Sequence, residues 1–362
     1  MQSDLFGEIR SVFHSEANEQ SFEQLCSLLE RAEPDILESM FLPYVMSHLS
    51  EWLDIQRVMP WLWIDRALQG DRSVYALGSV AATLDLSGRH LRRDILSRIF
   101  KGLSLESVTH IYLERCQVGP SMLTLLGNFE GFQDVHVLGL AKNPLSSDGL
   151  RALLEAPAFS QIHVLDLERC MLRAEDIQRL LASPLAAHLE ELELGANSLD
   201  VMALTEIGKS SVSQRLRRLG LTSCVDPRSS QYDNMGGDML GALVSGDQEW
   251  HCLTQLELGW WGLRSQDMKF FRHHMFAHLE VLDLQGCSIR SEGAKILSEC
   301  DALGAVRVLD LKRNMIGDEG VLALTDPTSK LTSLRDIYLA WNAVSEDVLK
   351  QLEARGVRAI LK

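Results

Sequence analysis

The chain has 362 residues, of which 46% are hydrophobic, and its formal net charge is −15. An acidic chain is a poor binder of nucleic acid or anionic membranes, because both require clustered Lys and Arg. It has no N-terminal basic and apolar run typical of a secretion signal and no apolar run of the ~18 residues that a membrane span needs. We therefore expect a cytoplasmic protein that binds neither nucleic acid nor membrane.

Residues 1–79 lack the pattern of the rest of the chain, and their apolar spacing predicts helices. Phe22, Leu25 and Leu29 recur at three and four residues, and the segment after Pro34 repeats this spacing. This region holds 13 Asp and Glu against 5 Lys and Arg, so it is strongly acidic. We predict an all-α N-terminal cap domain over residues 1–79, because a repeat array needs a terminal unit to cover its apolar edge.

The stretch FLPYVMSHLSEWLDIQRVMPWLWIDRAL within this region is rich in aromatic residues. Leu42 and Pro43, followed by helical apolar residues and a late Trp61 or Trp63, resemble an F-box. In that family such residues form the surface that engages a ligase adaptor. The same tryptophans also suit the core of a simple cap, so both interpretations stay open.

From residue 80 onward the chain repeats the pattern L-x-x-L-x-L-x-x-[N/C]-x-L. Its third apolar position recurs at intervals of 27 residues five times, followed by 37, 26, 27 and 28. This position is leucine in all ten repeats, namely Leu86, Leu113, Leu140, Leu167, Leu194, Leu221, Leu258, Leu284, Leu311 and Leu339. Each unit is typical of a short strand followed by a helix, and such units must stack because none can bury its apolar face alone.

This pattern resembles the leucine-rich repeat family, in particular its long-repeat subtype typified by ribonuclease inhibitor. The turn position alternates Cys and Asn through five repeats, at Cys116, Asn143, Cys170, Asn197 and Cys224. The resemblance implies an α/β solenoid, shaped as a horseshoe with a parallel concave sheet and convex helices. We predict one leucine-rich repeat domain over residues 80–362, with ten repeats and a C-terminal capping strand near Val357 and Ile360.

The seven cysteines are predicted to be free structural thiols. Four occupy the turn position of alternate repeats, namely Cys116, Cys170, Cys224 and Cys287. Equivalent residues two repeats apart are too distant for disulfide geometry. The other three, Cys26, Cys252 and Cys300, have no metal-ligand spacing. A reducing compartment fits this pattern.

Two irregularities interrupt the array. One repeat is ten residues longer than its neighbours, through DPRSSQYDNMGGDM, which predicts a loop. We expect the segment from Asp226 to about Gly237 to be dispensable for folding but not for binding. The next repeat has Trp261 at the turn position, which we expect to be too small for an indole. Either Trp261 packs under the inserted loop, or the turn is remodelled so that Trp260 or Trp261 meets a ligand.

The sequence shows no motif for catalysis, a cofactor or a metal. Ala203 stands where a P-loop ending at Gly208 and Lys209 would need its first glycine. Dinucleotide-binding, nucleophile-elbow and HExxH patterns do not occur. His274 and His278 have metal-binding spacing but no third ligand is suggested. We expect a protein without enzymatic activity, cofactor or metal.

Side chains alternate along a strand, so the residues flanking the strand leucines should face the concave side. Six of the ten central positions are carboxylates, at Asp85, Asp166, Glu193, Glu257, Asp283 and Asp310. The other candidate partner-binding residues are Tyr112, Glu114, Glu168, Trp260, Tyr338 and Trp341. Stacked carboxylates repel one another unless a cation, a partner or bordering Arg and Lys compensates. They are also what a merely solvated strand would carry.

These observations favour a monomeric, non-enzymatic scaffold that binds a basic or mixed-charge protein on its concave face. A regulator of an enzyme such as a small GTPase is the alternative, because the long-repeat subtype also includes the Ran GTPase-activating protein. An F-box-like substrate receptor is a weaker alternative.

Overall fold

The computed structural model describes residues 2–224, 235–246, 248 and 250–361. The chain forms two compact units, Met1–His163 and Val164–Lys362. Both are built from short parallel strands joined by helices, as predicted from the repeat. Among the described residues, no helix has the length and apolar character needed to cross a bilayer.

The described residues of the first unit form a helical segment followed by three strands. Its α-helices are α1 (Gln2–Val12), α2 (Glu19–Leu29), α3 (Pro34–Ile36), α4 (Leu42–His48), α5 (Trp61–Leu68), α6 (Arg93–Gly102), α7 (Pro120–Gly127) and α8 (Ser146–Leu154). A π-helical turn, Leu37–Phe41, joins α3 to α4. The strands β1 (Thr83–Asp85), β2 (His110–Tyr112) and β3 (Val137–Gly139) pair in parallel and in chain order.

The described residues of the second unit form eight strands and the helices between them. The strands are β4 (Val164–Asp166), β5 (Glu191–Glu193), β6 (Arg218–Gly220), β7 (Gln255–Glu257), β8 (Val281–Asp283), β9 (Val308–Asp310), β10 (Asp336–Tyr338) and β11 (Arg358–Ile360). Each pairs in parallel with the next. The α-helices are α9 (Ala174–Leu181), α10 (Val201–Lys209), α11 (Met235–Leu243), α12 (Arg290–Ser298), α13 (Asp318–Leu324) and α14 (Glu346–Ala354). After β7 the connection is instead a 3-10 helix, Ser265–Arg272.

The α/β leucine-rich repeat fold class is confirmed. All ten leucines of the repeat are at most 1% exposed. Strand pairing places equivalent positions side by side, for example Leu192 opposite Leu219. The segments between strands form helices because apolar residues at helical spacing are buried, and some of these helices also carry a cap. In α10, Asp200 accepts a hydrogen bond from the Ala203 backbone N–H at 2.9 Å, and Leu204 and Ile207 are buried.

Most of the aromatic residues in the stretch from Phe41 to Leu68 are buried in the core of the first unit. Trp63 is fully buried, and its indole N–H donates to Glu30 Oε1 at 2.6 Å. Trp61 is half-buried under the guanidinium of Arg89, which lies 3.1 Å from the ring centroid. The edge of β1 is covered by an isolated parallel bridge between Val58 and Thr83.

The turn position of the repeat is a buried donor site. Its side chain donates to the carbonyl of the repeat leucine one repeat earlier, as from Asn143 to Leu113 at 2.8 Å. The cysteines act in the same way, with Cys116 Sγ 2.9 Å from Leu86 O. All seven cysteines are free, and all except the half-buried Cys252 are buried.

The expectation that an indole cannot occupy the turn position is wrong. Trp261 is fully buried, and its Nε1–H donates to Leu221 O at 2.6 Å, the bond that Asn or Cys makes in other repeats. In other repeats the Asn Oδ1 accepts a hydrogen bond from the backbone N–H of the Cys in the preceding turn. An indole has no acceptor for this bond. The backbone N–H of Cys224 therefore points to Leu221 O at 3.3 Å instead.

The prediction that the inserted stretch loops out as far as Gly237 is wrong at its end. Helix α11 begins at Met235 and includes Gly236 and Gly237, both buried. A Cβ at Gly236 would overlap the carbonyl oxygen of Trp261, so glycine allows the helix to approach that turn. Residues 225–234, which hold most of the insertion, lie outside the described residues.

Candidate functional site

Five of the predicted acidic residues form one row across the second unit. We call Asp166, Glu193, Glu257, Asp283 and Asp310 the carboxylate row. They hold the last position of their strands, and pairing sets Asp166 beside Glu193 and Asp283 beside both Glu257 and Asp310. Gly220 separates Glu193 from Glu257. Strand pairing therefore aligns in one row residues that span 144 positions in sequence.

Four carboxylates of the row have a local structural task. Each accepts a hydrogen bond from the backbone N–H two residues later. The pairs are Asp166 with Glu168 at 2.8 Å, Glu193 with Gly195 at 2.7 Å, Asp283 with Gln285 at 2.7 Å and Asp310 with Lys312 at 2.9 Å. These bonds close the turn that follows each strand, as aspartate commonly does in turns. Part of the acidic pattern therefore serves the fold.

Arg218, on β6, links two members of the row. Its guanidinium lies 2.8 Å from Glu257 Oε1 and 3.5 Å from Glu193 Oε2. Glu193 reaches it by lying over Gly220, where a Cβ would overlap the carboxylate. A missing side chain on β6 thus makes room for a three-residue cluster of one cation and two carboxylates.

The row does not carry its full negative charge at neutral pH. Burial raises the pKa of Glu193 to about 7, and the charges of Glu257 and Asp166 act in the same direction, against the Gly195 hydrogen bond and Arg218. Burial likewise raises the pKa of Asp283 to about 6, aided by Asp310 and Glu257. A cation placed on this surface would favour the ionised form of both groups.

A pair of exposed indoles stands beside the row. Trp260 is 47% exposed and Trp341 is 75% exposed. Between them lies Arg313, whose Cζ is 6.0 Å from the Trp260 centroid and 4.8 Å from the Trp341 centroid. We call these three residues the Trp–Arg stack.

The backbone explains how the Trp–Arg stack forms. Its three members occupy the same position after their strands, with left-handed φ values of 64°, 57° and 61° in chain order. The repeat between Trp260 and Arg313 has Gly286 there, and a Cβ on this glycine would lie 2.7 Å from the Trp260 ring. Glycine thus leaves space for the indole to lean toward Arg313.

Lys312 links Tyr338 to the carboxylate row. Lys312 Nζ is 2.8 Å from Asp310 Oδ2 and lies 5.1 Å from the Tyr338 ring centroid. The charge of Asp310 is therefore compensated within the chain. The excess negative charge lies toward Asp283 and the Glu193 cluster.

The other three candidates, Asp85, Tyr112 and Glu114, belong to the first unit. Asp85 accepts from the Ser87 backbone N–H at 2.9 Å, which is the same turn bond as in the row. The Tyr112 ring lies over Gly139, and Glu114 is 3.9 Å from Lys142 Nζ. These residues have clear structural contacts of their own.

Neither Arg218 nor Arg313 was among the partner-binding residues predicted from the sequence. Arg218 lies two residues before Gly220, so strand alternation puts both on one face and could have identified it. The stacking of Arg313 had no signal, because it depends on the lean of Trp260 over Gly286. Within the described ranges, no group of three or more His, Cys, Asp or Glu could hold a metal ion.

Comparison with known proteins concerns the fold. The family described as Leucine Rich repeat matches residues 277–298 and 306–324. A solved structure of the Rad7 and Elc1 complex from yeast is similar, with a TM-score of 0.55, 14% identity, and coverage of 93% of this chain and 84% of that one. No curated protein matches. Together with the repeats described above, these findings support a leucine-rich repeat fold for the chain.

Two bacterial structures are also similar, with lower scores. An internalin from Listeria monocytogenes has a TM-score of 0.44 and 15% identity, covering 80% of this chain and 82% of that one. A Bacteroides fragilis protein has a TM-score of 0.41 and 15% identity, covering 77% of this chain and 73% of that one. At these identities the similarity describes architecture alone.

Proposed function

We propose that this chain is a monomeric, non-enzymatic scaffold of the ribonuclease-inhibitor-like subtype that binds a basic or mixed-charge protein. The binding surface is the carboxylate row with Glu168, Tyr338 and the Trp–Arg stack. The observation that carries the proposal is the exposure of Trp260 and Trp341, at 47% and 75%, next to that row. Large exposed aromatic side chains beside charged residues are typical of interface anchors.

Electrostatics support the same partner. Burial and repulsion from neighbouring carboxylates raise the pKa of both Glu193 and Asp283, so ionising either group on this surface costs free energy. A Lys or Arg from a partner would relieve that repulsion. Asp85, Tyr112 and Glu114 are retained as a separate candidate surface of the first unit, within a domain proposed to run over residues 80–362 after a cap of residues 1–79.

Affinity capture followed by binding kinetics tests the proposal. In the captured complex, Glu257→Gln, Asp283→Asn and Asp310→Asn together should slow association and flatten its salt dependence, because steering is electrostatic. Changing Trp260 and Trp341 to Ala should instead accelerate dissociation, with a loss of about 2 kcal/mol or more.

The matched control neutralises three exposed carboxylates elsewhere in the second unit. Glu299, Glu319 and Asp347 have side chains that are 64%, 78% and 89% exposed. Changing them to Gln, Gln and Asn removes the same charge away from the row. Equal effects of the two triple variants, or indifference of binding to the tryptophan changes, would remove this surface as the binding site.

An F-box-like receptor is the second candidate, favoured by exposed apolar side chains in the first unit. Met40, Met46, Leu53 and Ile55 are 42%, 41%, 65% and 55% exposed. They would have to form the adaptor surface, since Trp63 is core. Met46→Asp with Leu53→Asp in the full chain should abolish capture of a ligase adaptor. A partner that is captured in the presence of GTP but not GDP, or the reverse, would instead favour a regulator of a small GTPase.

A further inference from the structure

Among the described residues, Arg313 lacks the carboxylate partner that several other arginines on the strand side of the second unit have. Arg217 pairs with Glu190, Arg218 with Glu257, and Arg358 with Asp336. Arg313 is exposed, and within the described part of the chain its guanidinium contacts only the Trp260 and Trp341 rings. Its N–H donors are therefore available to a ligand.

Two indoles restrict how the guanidinium can be approached. Aromatic rings attract the face of the cation and occupy it, whereas the five N–H donors point outward in the guanidinium plane. A planar acceptor with two oxygens, such as a carboxylate, matches that fork with two parallel hydrogen bonds. Because stacking already orders the side chain, less conformational entropy is lost on binding.

The charge of the surroundings favours a carboxylate over a phosphate. Glu257, Asp283 and Asp310 occupy the neighbouring row, and Lys312 is already paired with Asp310. A phosphate group carries nearly two negative charges and would meet stronger repulsion than a single carboxylate. A partner must also satisfy the acidic row, so one segment should offer both signs of charge.

We propose that the Trp–Arg stack binds an Asp or Glu side chain of an extended protein segment that also presents a basic residue to Asp283, which lies beside Asp310 on the neighbouring strand. The segment's apolar atoms cover Trp260 and Trp341. Arg313 lies three residues after Asp310, a span of at most ~10 Å. The acidic and basic residues should therefore lie within about three positions of each other. This inference rests on the proposed function.

Selection of short random peptides displayed on phage tests the proposal on the full chain. Wild-type protein should enrich peptides with an acidic residue close to a basic one. Arg313→Glu should exchange the enriched acidic residue for a basic one, because the variant reverses the charge that it meets. Enrichment without an acidic residue, or an unchanged preference in Arg313→Glu, would overturn the inference.

A double-substitution cycle on a selected peptide gives the quantitative test. Arg313→Ala should lower affinity on the order of tenfold, and exchanging the peptide's acidic residue for its amide should cause a similar loss. Together the two changes should cost little more than either alone. Fully additive losses would show that the two groups do not meet. Arg313→Lys should recover only part of the affinity, because it restores the charge without the fork.

The same experiment separates this inference from the proposed function. Peptides that need Trp260 and Trp341 but not Arg313 would overturn only the carboxylate site. Peptides whose binding survives the change of both tryptophans and of the acidic row would overturn the binding surface itself. Failure to enrich any peptide would count against both.

Discussion

Glu193 is the residue at which the electrostatic description can be tested most directly. Its side chain is 15% exposed, and burial raises its pKa from the ordinary 4.5 to about 7. The folded protein therefore binds this proton more tightly than the unfolded chain does. It follows that the ionised glutamate destabilises the fold, and that wild-type stability falls as pH rises through the window from 4.5 to about 7.

The size of the effect follows from the shift. One pKa unit corresponds to about 1.4 kcal/mol, so ionisation of Glu193 costs roughly 3 kcal/mol at most at pH 8. Glu193→Gln removes this cost and keeps an acceptor for the Gly195 N–H, but it loses the charge that faces Arg218. We expect the variant to gain about 2 kcal/mol over wild type at pH 8 and close to nothing at pH 5.

Thermal unfolding of both proteins at pH 5 and pH 8 measures the difference, which should raise the unfolding midpoint by a few degrees at pH 8 only. Glu319→Gln is the control, because Glu319 is 78% exposed and its pKa is lowered by Lys295. Carbon-13 NMR of labelled glutamate should show Glu193 titrating near pH 7. A midpoint near 4.5, or a stability gain that does not depend on pH, would refute the reasoning.

Two further predictions concern the core. Trp261→Ala should destabilise the protein by roughly 3–5 kcal/mol, because it removes a buried indole and the donor to Leu221, whereas Trp260→Ala should change stability little; urea unfolding of both compares them. Native protein treated with a bulky thiol reagent should be labelled at Cys252 alone, since burial raises the pKa of the Cys224 thiol to about 12. Rapid labelling of all seven cysteines would contradict the assignment of the turn thiols.

The sequence by itself determined the fold class and the strand register. A leucine at a constant spacing can be buried only if each repeat adds one strand, so Leu192 and Leu219 had to become neighbours. The last strand position then had to carry the row from Asp166 to Asp310. The repeat period contains this information because the register of each strand depends only on the adjacent repeat.

Only the tertiary structure decided what the side chains do. Trp261 could serve as the turn donor because its indole N–H replaces that of Asn, which size alone did not suggest. Arg218 joins Glu193 to Glu257 because Gly220 leaves space between them. Trp260 leans toward Arg313 across Gly286 for the same reason. Such contacts depend on which side chain is absent in a neighbouring repeat, and on a packing geometry that a single repeat does not encode.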